Sequence, residues 1–225
     1  LLKQSLAAGA AFTIVPRYVL GGAGYTPPSE QITKAVIGVG GMGKGHLKLG
    51  GTRLLAVCDV DEGRMRASMS KGVDGYRDFR EVLERDDIDI IHVPTPPHWH
   101  ALISITAAQA GKDIWCEKPM ARTVTECDEI ISAHEQAGTT LMLGLMKRYN
   151  RSMLAVADLL ESGSIGQIMG VRHNWDWGGA QEAISAGWRG SLDTWGGQWQ
   201  DHGAHSVDLA NWWAGPVSSV MAVFD

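Results

Sequence analysis

Residues Lys34 to Val39 read as a short apolar strand, overlapping the run Gly38-Val39-Gly40-Gly41-Met42-Gly43, and a helix-compatible stretch follows from Lys44 to Leu49. This glycine spacing constrains the fold more than any other feature. Gly38 permits a tight turn, Gly40 removes the side chain that would obstruct a pyrophosphate, and Gly43 lets the helix lie close on the strand. The helix N-terminus then offers unpaired N–H groups to phosphate, flanked by Gly41 and Met42. A second apolar strand, Leu54 to Cys58, ends in Asp59, an acid placed to accept hydrogen bonds from an adenosine ribose. A glycine-rich turn alone is a weak signal. With a strand before it, a helix after it and an acid at the next strand end, it reads as a dinucleotide site.

The alternation continues along the chain. Glu62 to Ser70 suits a helix, and Asp78 is placed to cap a helix running through Glu84. Ile88 to Val93 reads as a buried strand stopped by Pro94-Thr95-Pro96-Pro97. His98 to Ala110 is helical, with Ala101, Ile105 and Ala108 on one face and Gly111 at its end. Asp113 to Cys116 is the next strand. Thr123 caps a helix to Ala137, with Glu126 completing a capping box, and Thr140 to Leu145 is a further strand. Strand–helix units joined by short loops build a parallel, doubly wound α/β sheet. Near residue 147 the character changes. Asn150 to Ser162 reads as a linking helix and Ile165 to Asn174 as a strand. Seven of the nine tryptophans then follow: Trp175, Trp177, Trp188, Trp195, Trp199, Trp212 and Trp213. Flat aromatic faces suit the apolar C–H faces of pyranose rings, but core and subunit packing accounts for most such residues.

A chain of 225 residues with 44% hydrophobic content can bury one large core, or one and a half. The net charge of −5 without a basic stripe argues against nucleic acid as the main partner. Cys58, Cys116 and Cys127 form no CxxC pair or zinc spacing, so no disulfide framework is expected. Both ends read as incomplete, with no initiator Met and with residue 225 just after a strand-like run. Leu1 to Phe12 resembles a twin-arginine export signal that has lost its arginine pair. Basic Lys3 precedes an Ala-rich stretch, broken by Pro16 and Arg17, that is too short to span a bilayer. The linker-like Gly21 to Ser29 favours that reading over an N-terminal helix of the mature fold. The expected organisation is a signal remnant and arm (1–31), a dinucleotide-binding domain (32–147) and an incomplete second domain (148–225). The expected location is the periplasm, or the cytoplasm if the leader is read otherwise.

Two further constellations carry chemistry. Cys116-Glu117-Lys118-Pro119 sits at the C-terminal end of a central strand, the edge where open α/β sheets bind ligands. A partly desolvated lysine there suits proton transfer. A solvated Lys beside a salt-bridging Glu is the plainer alternative. In Asp201-His202-Gly203-Ala204-His205-Ser206-Val207-Asp208, a helix puts Asp201 and His205 on one face. A carboxylate beside an imidazole orients it and stabilises its protonated form, as a base taking an alcohol proton requires. A metal site on Asp201, His202, His205 and Asp208 is the competing reading. His202 facing away from His205 speaks against it, so no metal is expected.

In order and spacing, Gly38–Gly43, Asp59, Thr95-Pro96-Pro97-His98-Trp99-His100, Glu117-Lys118-Pro119 and Asp201–Asp208 resemble the Gfo/Idh/MocA family of glucose–fructose oxidoreductase, inositol dehydrogenase and their relatives. The resemblance runs from about Thr33 to the last residue. It implies a Rossmann domain followed by an α/β domain with an open, mostly antiparallel sheet that carries the substrate and the oligomer interface, so a homo-oligomer is expected. Lys118 matches the family's active-site lysine, and Asp201 and His205 match its Asp-x-x-x-His pair. Thr95, Pro96 and His98 look like the loop beside the cofactor, with Glu117 and Lys118 adjoining it, and His98 and His100 take a helix-start position beside the nicotinamide. Met146 and the Asn150-Arg151 pair depart from the family pattern. The implied activity is hydride transfer between a sugar, polyol or related cyclic alcohol and tightly bound NAD(P), with either Lys118 or His205 as the base. Asp59 should repel a 2′-phosphate and favour NAD, while nearby Arg64 leaves NADP open. A glycosidase working by transient oxidation and elimination, and a non-catalytic dinucleotide-binding protein or inactive fragment, are the rival readings.

Overall fold

The computed structural model describes residues 26–174, 187–195 and 199–223. The export-signal reading of the first residues lies outside them, as do Trp175 and Trp177. Six strands form one sheet: β1 (Thr33–Ile37), β2 (Arg53–Cys58), β3 (Asp74–Tyr76), β4 (Ile90–Val93), β5 (Asp113–Cys116) and β6 (Leu141–Leu143). Their order is β3-β2-β1-β4-β5-β6, and every neighbouring pair is parallel. The order reverses between β1 and β4, which opens a crevice at the C-terminal strand ends where α/β sheets take ligands.

Helices α1 (Gly43–Leu47), α2 (Glu62–Ser68), α3 (Phe79–Leu83), α4 (His100–Gln109) and α5 (Val124–Ala137) cover the sheet. The two-residue period of β1 sends Ala35 and Ile37 into one apolar layer, with Leu55, Ile91, Ile103 and Ile114. It sends Val36 into the other, with Val57, Met65 and Val73. With both faces covered, the strands are continuous apolar runs rather than alternating ones. The caps follow local chemistry. Asp61, Asp78 and Thr123 each accept a hydrogen bond from a first-turn N–H. Glu126 reaches back to the Arg122 N–H at 2.9 Å. Lys34 is fully buried on β1, and its Nζ donates to the carbonyls of His46 and Leu49 at 2.8 Å each. It thereby satisfies carbonyls at the negative end of α1.

Helix α6 (Arg151–Glu161) is capped by Asn150, whose side chain accepts from the Ser152 N–H. The short α7 (Leu192–Trp195), a π-helical turn at Trp199–Gly203 and α8 (Ala204–Ala214) return the chain to the mouth of the crevice. Among the described residues no helix is long and apolar enough to cross a membrane.

One expectation differs from this architecture, and one strand went unanticipated. Ile165–Asn174 is not a strand: among the described residues no partner strand lies beside it, and Ile165 and Met169 are exposed at 61% and 91%. An unpaired apolar run has no ladder to hold it extended. Conversely, β3 pairs with β2 although Asp74-Gly75-Tyr76 carries no strand signal of its own. Its extended form comes from the waiting edge of β2.

Candidate functional site

The turn after β1 has the geometry its glycines demand. Gly38 adopts φ +94°, and a Cβ there would stand 2.8 Å from Thr95 Cγ2. A Cβ on Gly43 would stand 1.9 Å from the Gly38 carbonyl oxygen, so only glycine allows α1 to begin this close to the turn. A Cβ on Gly41 would meet nothing within 4 Å among the described residues beyond its chain neighbours. Asp59, at the end of β2, accepts from the Val39 N–H and the Asp61 N–H at 2.9 Å each. These bonds fix its carboxylate at the crevice edge, with acceptor capacity left for a diol. Arg64 makes a long, exposed contact with Asp61 at 3.5 Å and lines the same end of the cleft as Asp59, where a Cβ on Gly40 would stand 3.5 Å from its Nη1.

A cleft of about 500 Å³ runs from this edge across the switch point. Asp59, Gly40, Gly41 and Met42 line one part, Thr95, Pro96 and Trp99 the middle, and Glu117, Lys118 and Asp201 the far end. Among the described residues, the buried Thr95 Oγ1 has no hydrogen-bond partner. An open glycine floor, an anchored carboxylate at one end and an orphaned hydroxyl in the wall fit an extended dinucleotide.

At the far end Lys118 Nζ donates to the Asp201 carbonyl at 2.7 Å and makes a very short contact with its carboxylate. A lysine ammonium has three donors, so one remains for a ligand. Arg189 Nε lies 3.8 Å from the same carboxylate and its guanidinium stacks on Trp188 at 4.2 Å. His205, in the first turn of α8, is 7% exposed, and among the described residues its buried Nδ1 has no hydrogen-bond partner. Burial, followed by the nearby Lys118 and Lys147 cations, pushes its pKa down to about 4 against the opposing pull of Glu117 and Asp201. Sequence spacing suggested an Asp201–His205 couple that favours the imidazolium. Instead the carboxylate binds Lys118, and His205 is neutral at ordinary pH, the form that accepts a proton.

The remaining candidates divide. His98 does not line the cleft. The 3₁₀ turn Pro97–Trp99 directs Trp99 to the wall, and His98 Nδ1 meets the Thr194 carbonyl at 3.2 Å. His100 is 1% exposed and stands between the Pro119 and Thr95 carbonyls, with Nδ1 and Nε2 2.8 Å from one each; the neutral ring donates to one of them at a time. Burial lowers its pKa. Asp208 is held by a bidentate contact from Arg148 Nε and Nη2 at 2.7–2.9 Å, which fastens α8 to the Met146–Tyr149 turn. Cys58 and Cys116 are buried thiols pushed up to about 12, with no nucleophilic character. Sequence reasoning missed Trp188 and Arg189 as cleft residues. The tryptophan-rich composition pointed to the region but not to these positions.

A family model described as the oxidoreductase family with an NAD-binding Rossmann fold matches residues 32–145. The GFO/IDH/MocA C-terminal domain matches residues 153–225. Inositol 2-dehydrogenase of Salmonella typhimurium is 29% identical over 145 residues, covering 60% of this chain and 43% of that protein. An alpha-N-acetylgalactosaminidase of Shewanella oneidensis is 32% identical over 158 residues, covering 64% and 34%. The WlbA dehydrogenase of Bordetella pertussis, solved with NADH and UDP-GlcNAcA, superposes with a TM-score of 0.77 at 28% identity, covering 83% and 58%. The chain therefore spans between 34% and 58% of the length of these three relatives. From the glycine turn through the strand order to the Lys118 end of the cleft, the chain belongs to the Gfo/Idh/MocA oxidoreductase family, with an NAD-binding Rossmann fold at its centre.

Proposed function

We propose that this protein is an NAD-dependent oxidoreductase that oxidises or reduces a CH–OH carbon of a sugar, polyol or related cyclic alcohol. One observation carries the reading: Lys118 and Asp201 line the end of the dinucleotide cleft opposite Asp59, and His205, buried outside the cleft lining, is near enough for both charges to act on it and is held neutral. Bound there, the nicotinamide supplies the hydride acceptor or donor. His205 takes the hydroxyl proton as the carbon–hydrogen bond breaks. The third N–H of Lys118 holds the substrate oxygen, and Asp201 fixes that ammonium. Asp59 favours NAD, since its carboxylate, fixed at the cleft edge by the Val39 and Asp61 N–H groups, repels a 2′-phosphate. Incubating the protein with NAD and a panel of sugars and polyols, and following reduced-nicotinamide absorbance, tests this. His205→Ala and Lys118→Met should each lower turnover about 10²–10⁴-fold while NADH still binds. Unchanged turnover in either variant removes that residue from the mechanism.

The similarity to an alpha-N-acetylgalactosaminidase supports a second reading, glycoside cleavage by transient oxidation with no net use of cofactor. Aglycone release from a chromogenic glycoside without an added acceptor distinguishes the two. The matched C-terminal domain model supports an open, mostly antiparallel sheet in the second domain, and with it a homo-oligomer, which light scattering tests. The leader-like composition of the first residues supports twin-arginine export of the folded protein with its dinucleotide already loaded. Fractionation that leaves the protein in the cytoplasm would overturn that part alone.

A further inference from the structure

We propose that His46, held in place by His92, is a positioning residue that aims Glu117 at the nicotinamide half of the dinucleotide. The inference rests on the dinucleotide-site reading of the cleft. His46 lies within α1, on the face turned to the sheet, and is 4% exposed. Its Nδ1 is 3.1 Å from His92 Nδ1 on β4, and its Nε2 is 3.1 Å from Glu117 Oε1 just past β5. Trp115 packs edge-on against His46 and tilted on His92, with ring centres 5.4 and 5.0 Å away. Lys34 grips the His46 carbonyl from below. The imidazole is thus fixed from three sides, and nothing local to the cleft explains why.

Proton accounting assigns its role. A carboxylate only accepts, so His46 Nε2 carries the hydrogen of the bond to Glu117. Between the two facing Nδ1 atoms there is room for one proton. His92 is held neutral, its pKa pushed down to about 3 by burial and by the neighbouring His46 and Lys34. Whichever ring holds the shared proton, Nε2–H of His46 points at Glu117. On the other side the carboxylate is confined by Gly144, where a Cβ would stand 2.7 Å from Oε1. Among the described residues, no hydrogen bond engages Glu117 Oε2, and Glu117 lines the cleft beside Lys118. Glu117 therefore mirrors Asp59: each carboxylate is pinned by protein donors at one strand end and offers acceptor capacity to one half of the ligand.

The test uses protein stripped of nucleotide, titrated separately with NADH and with ADP, which lacks the nicotinamide half. In His46→Ala the NADH dissociation constant should rise about tenfold or more, as loss of a charge-assisted hydrogen bond implies, with ADP affinity unchanged. His46→Gln, whose side-chain amide restores a donor toward Glu117, should recover most of the loss. Equal weakening of NADH and ADP, or no weakening of NADH, overturns the proposal. Should His46→Ala fail to fold, nitrogen NMR of wild-type histidines decides instead. The His46 Nε2 resonance is expected in its protonated form and should respond to NADH but not to ADP. An unprotonated Nε2, or the same response to both nucleotides, contradicts the proposal. Wild-type protein that binds ADP but not NADH also refutes it, whereas binding neither refutes the dinucleotide reading itself.

Discussion

Replacing Lys118 by methionine removes one charge from the end of the cleft while keeping most of the side-chain volume. In the wild type the ammonium makes two contacts with Asp201, and the two side chains are only 14% and 9% exposed. At a separation of ~3 Å and an effective dielectric of ~20, the attraction is about 5–6 kcal/mol. Deleting one partner of a buried pair typically costs about 3–5 kcal/mol, because the other charge is left uncompensated. Arg189, 3.8 Å from the carboxylate and partly exposed, offsets little of that. The melting temperature should fall by roughly 6–20 °C for a domain of this size. Asp201→Asn, alone and combined with Lys118→Met, completes a double-mutant cycle by urea unfolding, with an expected coupling of about 2 kcal/mol or more. The same substitution must also move His205. Burial does most to hold its pKa near 4, Lys118 is the strongest of the charges adding to that, and Asp201 opposes it. Losing the cation therefore raises the imidazole midpoint toward 6.5, which an NMR titration reads directly. Coupling below about 0.5 kcal/mol, the additivity limit for independent sites, together with an unmoved His205 midpoint, refutes the reasoning.

Acidification should destabilise the fold. The pKa values of His92 and His205 are depressed from 6.5 to about 3 and about 4, so the unfolded state binds more protons below 6.5 and stability falls with pH. From there down to pH ~5 each contributes roughly 2 kcal/mol of loss, visible in urea midpoints. A flat stability profile over that window contradicts the assignment of two neutral buried imidazoles. Gly43→Ala should cost at least the upper end of the about 1–3 kcal/mol seen for overpacking, since its Cβ meets a backbone oxygen at 1.9 Å. A wild-type melting curve would show that α1 can move away. Asp59→Ala should narrow the NAD-to-NADP affinity ratio by about tenfold or more, as removal of a charge ~4 Å from a phosphate implies. Tighter NADP binding in the wild type, unchanged by the substitution, would count against Asp59 as the selector.

Local sequence was enough for the parts of this fold that local chemistry decides. Asp113–Cys116 is a strand with the bounds its residues suggest, Thr123 caps α5 as its spacing implies while Glu126 reaches back one residue further, to the Arg122 N–H, and Gly38 and Gly43 occupy positions no other residue fits. The misses are decided by contacts far apart in sequence. β3 is extended only because β2 presents an edge, and Ile165–Asn174 lacks such an edge among the described residues. The partner of Asp201 is Lys118, 83 residues away, and no spacing rule distinguishes it from His205, four residues on. His46 carried no signal at all. A histidine on the buried face of a short helix is ordinary until β4 and β5 bring His92 and Glu117 against it.

A cleft of this kind is expected to deliver hydride between a bound nicotinamide and a carbinol carbon. The most direct measurement offers the protein NAD and polyols deuterated at the carbinol carbon, then examines the recovered nucleotide by mass spectrometry and proton NMR. The prediction is reduced nucleotide heavier by one mass unit, with deuterium on a single face of the nicotinamide ring, and label transfer sharply reduced in His205→Ala. Protein that binds NADH yet transfers no label from any sugar or polyol contradicts the dehydrogenase reading.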